Sequence, residues 1–381
     1  VGILEAIAPG RIYIDSTAKF DTLTDRVLTA FPNAEICSLE QQGDPAFDPQ
    51  GRVAAKDSFA RGKRELVLTR YQGEWLKACP GTSDHVCCNL WIVNPGEGCP
   101  MDCTYCYLQS YLRRNPTLKL YTNTDDLAAA IVKKTAEFPT RLFRIGTGEV
   151  IDSLVWDSVT ELSRELVPLF GRLPNAVLEL KTKTAEVETL LELQDQHCGN
   201  TVVSWSVNAE SITSADEAYT APLEERIRAA QAVAKAGYRV GLHFDPVIHF
   251  SGWEEEYQRA VEQIFTRVPK QAIAWVSVST LRYKPEMHEI MRERFPASKL
   301  PYGEQFLGRD GKMRYFQPLR LKLVRYVWEL IKQRAGEVPV YMCMESSTAW
   351  RSIHGGSPAA GQELVEIFSR KRSRKVARAQ A

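Results

Sequence analysis

Hydrophobic and polar positions alternate between two periods along most of this chain. Short runs rich in β-branched and aromatic residues read as strands: NLWIV (89–93), RLFRIG (141–146), AVLEL (176–180), TVVSWSV (201–207), YRVGLHF (238–244) and AIAWVSV (272–278). Between them lie amphipathic stretches that read as helices: DDLAAAIVKKTAEF (125–138), SVTELSRELVPLF (158–170), PLEERIRAAQAVAKAG (222–237) and EEEYQRAVEQIF (254–265). Gly237 stands where a helix C-cap belongs. Repeated strand–helix units imply parallel strands. Six of them suit an α/β fold of the partial (β/α)6 barrel type over residues 87–285. Barrels of this kind collect their active residues at the C-terminal ends of the strands.

The flanks follow a different pattern. Residues 1–86 hold candidate strands (RIYID, ELVLTRY) and one candidate helix (DTLTDRVLTAF), broken by GDPAFDPQGR. They predict an N-terminal extension packed on the barrel. Residues 286–369 predict a C-terminal region with a β-hairpin at 305–317, where Asp310-Gly311 gives a two-residue turn signal. A helix (PLRLKLVRYVWELIKQ), a strand (VPVYMCM) and a last helix (GQELVEIF) follow. Residues 370–381 form a basic tail that reads as a frayed end.

Composition changes this picture little. The 381 residues are 44% hydrophobic and 25% charged, as expected for a globular protein. A net charge of +1 makes no global demand for a nucleic-acid partner, so any such contact needs a local basic patch. No basic start leads into a long apolar run, and no stretch of about 18 apolar residues occurs. The expectation is a soluble, cytoplasmic protein.

The nine cysteines are Cys37, Cys79, Cys87, Cys88, Cys99, Cys103, Cys106, Cys198 and Cys343. An odd number without a secretory leader argues against a disulfide framework. Three of them crowd the segment GEGCPMDCTYCYLQSYL, which begins just after NLWIV. Three thiolates hold three irons of a four-iron, four-sulfur cluster and leave the fourth iron open for a ligand. The competing use is a structural zinc site completed by Cys87, Cys88 or His85. Zinc knuckles usually come as two CxxC pairs, and this segment has one.

The C-x3-C-x2-C spacing, with an aromatic before the last cysteine, resembles the radical S-adenosylmethionine (SAM) superfamily. That resemblance implies a 4Fe-4S cluster on Cys99, Cys103 and Cys106, with SAM as cofactor and a partial or full β/α barrel. CTYCYLQ is more specifically similar to the spore photoproduct lyase family. So are KRELVL, SWSVNAE, TAPLEERIRAAQAVAKAGYRVGLHFDPVIHFSGWEEEYQ, VSVSTLRY and GRDGKMRYF, in order and spacing. The resemblance implies carbon–carbon bond cleavage in a thymine–thymine photoadduct in DNA, with a flavodoxin or ferredoxin as electron donor. It implies that Tyr105 lies against the SAM adenine and that Tyr107 takes part in hydrogen return. Gly148 and Glu149 would meet the SAM amino group, Lys183 the SAM carboxylate, and Ser206 and Asn208 the ribose and its surroundings.

One departure stands out. The family carries a hydrogen-donating cysteine after the strand that here reads RLFRIGTGEVIDS, and this chain has no cysteine between Cys106 and Cys198. Cys343, at the end of a predicted strand, is the first substitute, with Cys87 or Cys88 as others. Alternatively the substrate is a different small molecule, nucleoside or peptide. The hairpin sets Arg309, Lys312 and Arg314 beside Tyr315 and Phe316, a mixture suited to phosphate contact and base stacking.

Overall fold

Seven parallel strands build the central sheet: β1 (Leu90–Val93), β2 (Phe143–Gly146), β3 (Ala176–Thr182), β4 (Thr201–Ser206), β5 (Arg239–Val247), β6 (Ile273–Thr280) and β7 (Val340–Met342). Their spatial order is β7-β6-β5-β4-β3-β2-β1, and Leu76–Ala78 adds an antiparallel edge beyond β1. The computed structural model describes residues 3–356, apart from 46, 49–52 and 82–84. All six predicted strands are present and parallel, as expected for a partial barrel. Every residue of β4 and β6 is buried, because helices cover the outer face while side chains fill the inner one.

The sheet curls until its two ends meet. His85 forms an antiparallel bridge with Ser346, and Val86 N donates to Glu345 O at 3.1 Å. Inside, six strands contribute to one polar network. Arg144 (β2) pairs with Glu179 (β3) at 2.6 Å and donates to the Tyr341 hydroxyl (β7) at 2.9 Å. Glu179 also meets Ser204 (β4) at 2.8 Å and His243 (β5) at 2.9 Å, and His243 reaches Ser277 (β6) at 2.7 Å. Burial pushes the Glu179 carboxyl up, but Arg144 and His243 hold it well below the usual range. Burial pulls the His243 imidazole down to about 4.

The helices follow the amphipathic stretches at Thr124–Glu137, Leu162–Arg172, Leu223–Lys235, Trp253–Arg267 and Gln317–Arg334. Gly237 has φ +88°, the left-handed conformation its position predicts. The stretch 158–170 is split: a short turn, Asp157–Thr160, precedes Leu162–Arg172, with Glu161 left-handed between them. The Asp157 carboxylate accepts from Ser163 N at 2.9 Å and from the Ser163 hydroxyl, which restarts the helix there.

Residues expected to be an irregular extension form a second sheet. Glu35–Ser38, Arg11–Ile14, Glu65–Thr69 and Leu118–Tyr121 lie parallel in that order, with Gly96–Glu97 antiparallel at the edge. Its core includes Ile12, Val27, Leu66, Leu68, Leu118 and Leu120. The strands at 35–38 and 118–121 were not predicted.

At the C-terminal side, Phe306–Leu307 and Met313–Arg314 pair as the predicted hairpin, joined by Arg282–Tyr283 into three strands. The turn is longer than two residues: Gly308 N donates to Lys312 O at 2.7 Å, closing Arg309, Asp310 and Gly311 within it. Asp310 turns its carboxylate back onto Arg314 at 2.6 Å, which draws the turn open. The predicted helix at 361–368 and the basic tail lie outside the described residues. Among the described residues no helix is long and apolar enough to cross a membrane.

Candidate functional site

The cysteine loop leaves the C-terminal end of β1, the end at which a β/α barrel carries its chemistry. It crosses at once to the second sheet, where Gly96 packs so closely that a Cβ would stand 2.4 Å from Lys119 O. Gly98 has φ +86° and turns the chain toward Cys99. Cations clamp the outer side of the loop. Lys63 Nζ donates to Cys99 O at 3.0 Å and to Met101 O, and pairs with Asp102 at 3.2 Å. Arg294 forks onto both oxygens of Asp102, at 2.9 and 2.8 Å. Gln109 donates to the carbonyls of Cys103 and Thr104.

Cys103 lies in a two-residue strand opposite Glu217. Residues directly opposite in an antiparallel pair share a face, so the thiol and the carboxylate are neighbours. Lys183, just past the end of β3, completes the group. Its ammonium lies 2.8 Å from Glu217 Oε1, 2.7 Å from the Tyr105 hydroxyl and 3.6 Å from Cys103 Sγ. Tyr105 also donates to Glu217. Arg226, fully buried, holds the other Glu217 oxygen at 2.6 Å. Burial pushes the Glu217 carboxyl up, but Lys183 and Arg226 outweigh it and hold it at about 2. Burial pushes the Cys103 thiol up to about 12.

Among the described residues no three His, Cys, Asp or Glu side chains converge on a single ion. Four-coordinate zinc needs its sulfurs at about 2.3 Å from one metal, which packs them together. A four-iron cluster takes one thiolate per iron and so accepts ligands set further apart. Three thiols on one short loop, with an ammonium beside the Cys103 sulfur, are a donor set that fits a four-iron cluster with one open iron. His85, Cys87 and Cys88, the proposed fourth zinc ligands, lie along the seam where the sheet ends meet, and Cys88 bonds Cys343 there.

The other predicted residues are placed as follows. Tyr107 is half exposed, and its hydroxyl donates to Glu149 O at 2.6 Å. Glu149 Oε2 accepts from Asn94 at 3.5 Å. A Cβ on Gly148 would stand 2.8 Å from Ser153 Oγ and 3.1 Å from Lys181 O, so this loop packs tightly on β3. The Ser206 carbonyl accepts from Arg226 at 2.9 Å. Asn208 is buried, accepting from Tyr257 at 2.5 Å and donating to Pro246 O at 3.1 Å.

Cys343 and Cys88 are free thiols joined by a hydrogen bond, which lowers Cys88 against its burial and, together with burial, raises Cys343. Cys79, which no motif marks, lies near them. Burial raises its thiol, and charges on Cys87, Cys343 and Glu149 add to the effect. It is brought there by Leu76–Ala78 pairing with β1, with Cys79 N donating to Leu90 O at 2.8 Å. Burial pushes the Tyr107 hydroxyl up, and Cys106, Glu149, Tyr111 and Cys79 are near enough to add to the effect.

The hairpin needs correction. Arg309 is exposed, but Arg314 and Tyr315 are only 4% and 5% exposed. Arg314 is held by Asp310, and the Tyr315 hydroxyl accepts from His249 N at 3.0 Å. Lys312 is partly buried, 4.0 Å from Asp310. The outward residues are instead Phe306, Leu307 and Phe316, with the two phenyl rings 5.6 Å apart. Glu217, Arg226, Lys63 and Arg294 were also missed; Glu217 lies in a two-residue strand and the others in or at the end of helices, and no local pattern marks them.

Known proteins agree with this architecture. The spore photoproduct lyase of Bacillus subtilis (strain 168) is 28% identical over 210 residues, covering 55% of this chain and 61% of that protein. The spore photoproduct lyase of Clostridium acetobutylicum is 23% identical over 285 residues, covering 73% of this chain and 80% of the relative. The chain thus spans less than two thirds of the length of the Bacillus relative. A solved spore photoproduct lyase complexed with dinucleoside spore photoproduct superimposes with a TM-score of 0.75 at 22% identity, over 88% of this chain and 98% of that one. A double mutant solved with AdoMet and the same dinucleoside matches equally well, with a TM-score of 0.75. The spore photoproduct lyase family model matches residues 90–333, from the first barrel strand through the hairpin and into the helix before β7, and on that match the chain belongs to the spore photoproduct lyase family.

Proposed function

We propose that this chain is a radical SAM lyase that cleaves a thymine–thymine photoadduct in DNA. Cys99, Cys103 and Cys106 would hold a 4Fe-4S cluster. With SAM bound, that group supplies a 5′-deoxyadenosyl radical able to abstract hydrogen. The observation that carries the reading is the convergence of Lys183, Tyr105 and Cys103 beside one buried carboxylate. It sets a cation next to the loop thiols, where a carboxylate-bearing cofactor would be met. Gly148 and Glu149 would receive the SAM amino group on the opposite side. Tyr105 would meet the adenine, and Ser206 and Asn208 would line the ribose end. The working compartment is the cytoplasm, and a flavodoxin or ferredoxin supplies the electron.

Hydrogen return would fall to Cys343 and Tyr107. Cys343, bonded to Cys88, carries the thiol hydrogen that a substrate radical would take. Tyr107 would then pass a hydrogen between the thiol side and the cofactor side. Arg309 with exposed Phe306 and Phe316 suits contact with a nucleic-acid strand, through one phosphate and stacked bases. A second reading keeps the radical chemistry but changes the substrate to a small molecule, nucleoside or peptide. The inward turn of Arg314 and Tyr315 favours it.

The test is anaerobic turnover of reconstituted protein with SAM, a reductant and a dinucleotide carrying the spore-type adduct. Repaired dinucleotide supports the lyase reading. Formation of 5′-deoxyadenosine with the adduct intact supports the second. Neither product overturns both.

A further inference from the structure

We propose that Lys183, fixed by Glu217 and Arg226, sets the reduction potential of the cluster on the cysteine loop; this rests on the cluster assigned above. Antiparallel pairing puts the Glu217 carboxylate beside Cys103, so a ligating Cys103 thiolate would face a second anion across the strand pair. Two cations answer these two anions. Arg226 is committed to its own surroundings: it bonds Ala221 O at 2.7 Å, Ser206 O at 2.9 Å, the Thr220 hydroxyl at 2.7 Å and Glu217 at 2.6 Å. Lys183 alone extends past Glu217 to the sulfur, at 3.6 Å. With Cys103 set aside, the three side chains carry one surplus positive charge, and it is aimed at a ligand sulfur. Glu217 and Arg226 are almost wholly buried, so water screens this charge weakly.

Cluster potentials respond to net charge and to hydrogen bonds at the sulfurs. Reduction adds one electron, and with it one negative charge. A fixed ammonium at the sulfur stabilises the reduced form more than the oxidised form. Lys183 thereby raises the midpoint potential, and Glu217 lowers it by offsetting that ammonium. Lys183 is a positioning and tuning residue in this role, and the effect exists before SAM arrives.

The experiment is a potentiometric titration of the reconstituted full chain without SAM. Dithionite is the electron source, and electron paramagnetic resonance reads the reduced cluster. Lys183→Met is expected to lower the reduced-to-oxidised ratio at fixed potential by about tenfold, a shift of ~59 mV toward negative values for one electron. Lys183→Arg keeps the charge and is expected to stay near wild type. Glu217→Gln removes the offset and is expected to shift the midpoint the opposite way. Midpoints unchanged in both Lys183→Met and Glu217→Gln, or shifted in the same direction, overturn the inference alone. Wild-type protein that takes up no iron and sulfide overturns the functional reading, and this inference with it.

Discussion

Tyr107 donates its hydroxyl hydrogen to the backbone carbonyl of Glu149 across 2.6 Å, joining the cysteine loop to the loop after β2. A phenylalanine there keeps the ring and loses the bond. Tyr107→Phe is expected to cost about 1 kcal/mol of stability. It should leave 5′-deoxyadenosine formation in place while repaired dinucleotide falls by more than about tenfold, as for a misplaced transfer group. Chromatography of both products from one anaerobic reaction checks this. Equal loss of both would show that Tyr107 only supports the fold.

The Cys88–Cys343 pair makes a separate prediction. Cys343→Ala is expected to abolish repair while SAM cleavage continues. A thiol exchanges its hydrogen with water, so repair by the wild-type protein in heavy water should place deuterium in the product. Cys198→Ser, at an exposed position, is the control and should behave as wild type. Repair that survives Cys343→Ala moves the donor to Cys88, Cys87 or Cys79.

His243 predicts a stability change in mild acid. Its ordinary value is 6.5, and its buried value is about 4. Between those pH values the unfolded chain binds a proton that the folded chain refuses. Stability from this group is therefore complete above pH 6.5 and declines as pH falls toward 4. The loss from pH 7 to pH 5 is about 2 kcal/mol. Urea unfolding at the two pH values measures it. His243→Gln, which keeps a donor toward Glu179, should show a shallower decline.

The hairpin separates a binding residue from a structural one. Arg309→Gln should weaken single-stranded DNA binding, reduce the salt slope by about 1, and leave the melting temperature unchanged. Arg314→Gln breaks a buried pair with Asp310 and should cost about 3 kcal/mol of stability. Fluorescence anisotropy across salt concentrations and calorimetry distinguish the two. No change in DNA binding for Arg309→Gln favours the small-molecule reading.

Much of the barrel was legible because its strands are short, apolar and spaced by amphipathic helices. The cysteine loop was legible because three cysteines share eight residues, Cys99 to Cys106. Side chains that act through tertiary pairing were not. Glu217 is 34 residues from Lys183, and no local pattern joins them. Cys79 comes beside Leu90, at the start of β1, only because a three-residue antiparallel edge strand carries it there. LKLY at 118–121 alternates as a strand should, but four residues so soon after the loop are too short a pattern to mark a strand. The hairpin misled because alternation of basic and aromatic residues says nothing about an acid in the turn. Asp310 claimed Arg314 and turned it inward.

The chain passes from β1 in one sheet to Gly96–Glu97 in the other immediately before Cys99. The loop is therefore a bridge with an abutment on each bank. A cut at residue 86 would remove three strands from the far bank and leave the pair Leu118–Tyr121 and Gly96–Glu97 without Glu65–Thr69 beside it. The barrel cannot be excised as a minimal enzyme, however self-sufficient its own strands look. Whatever drives the two sheets apart will be felt first at Cys99, Cys103 and Cys106, the proposed cluster ligands.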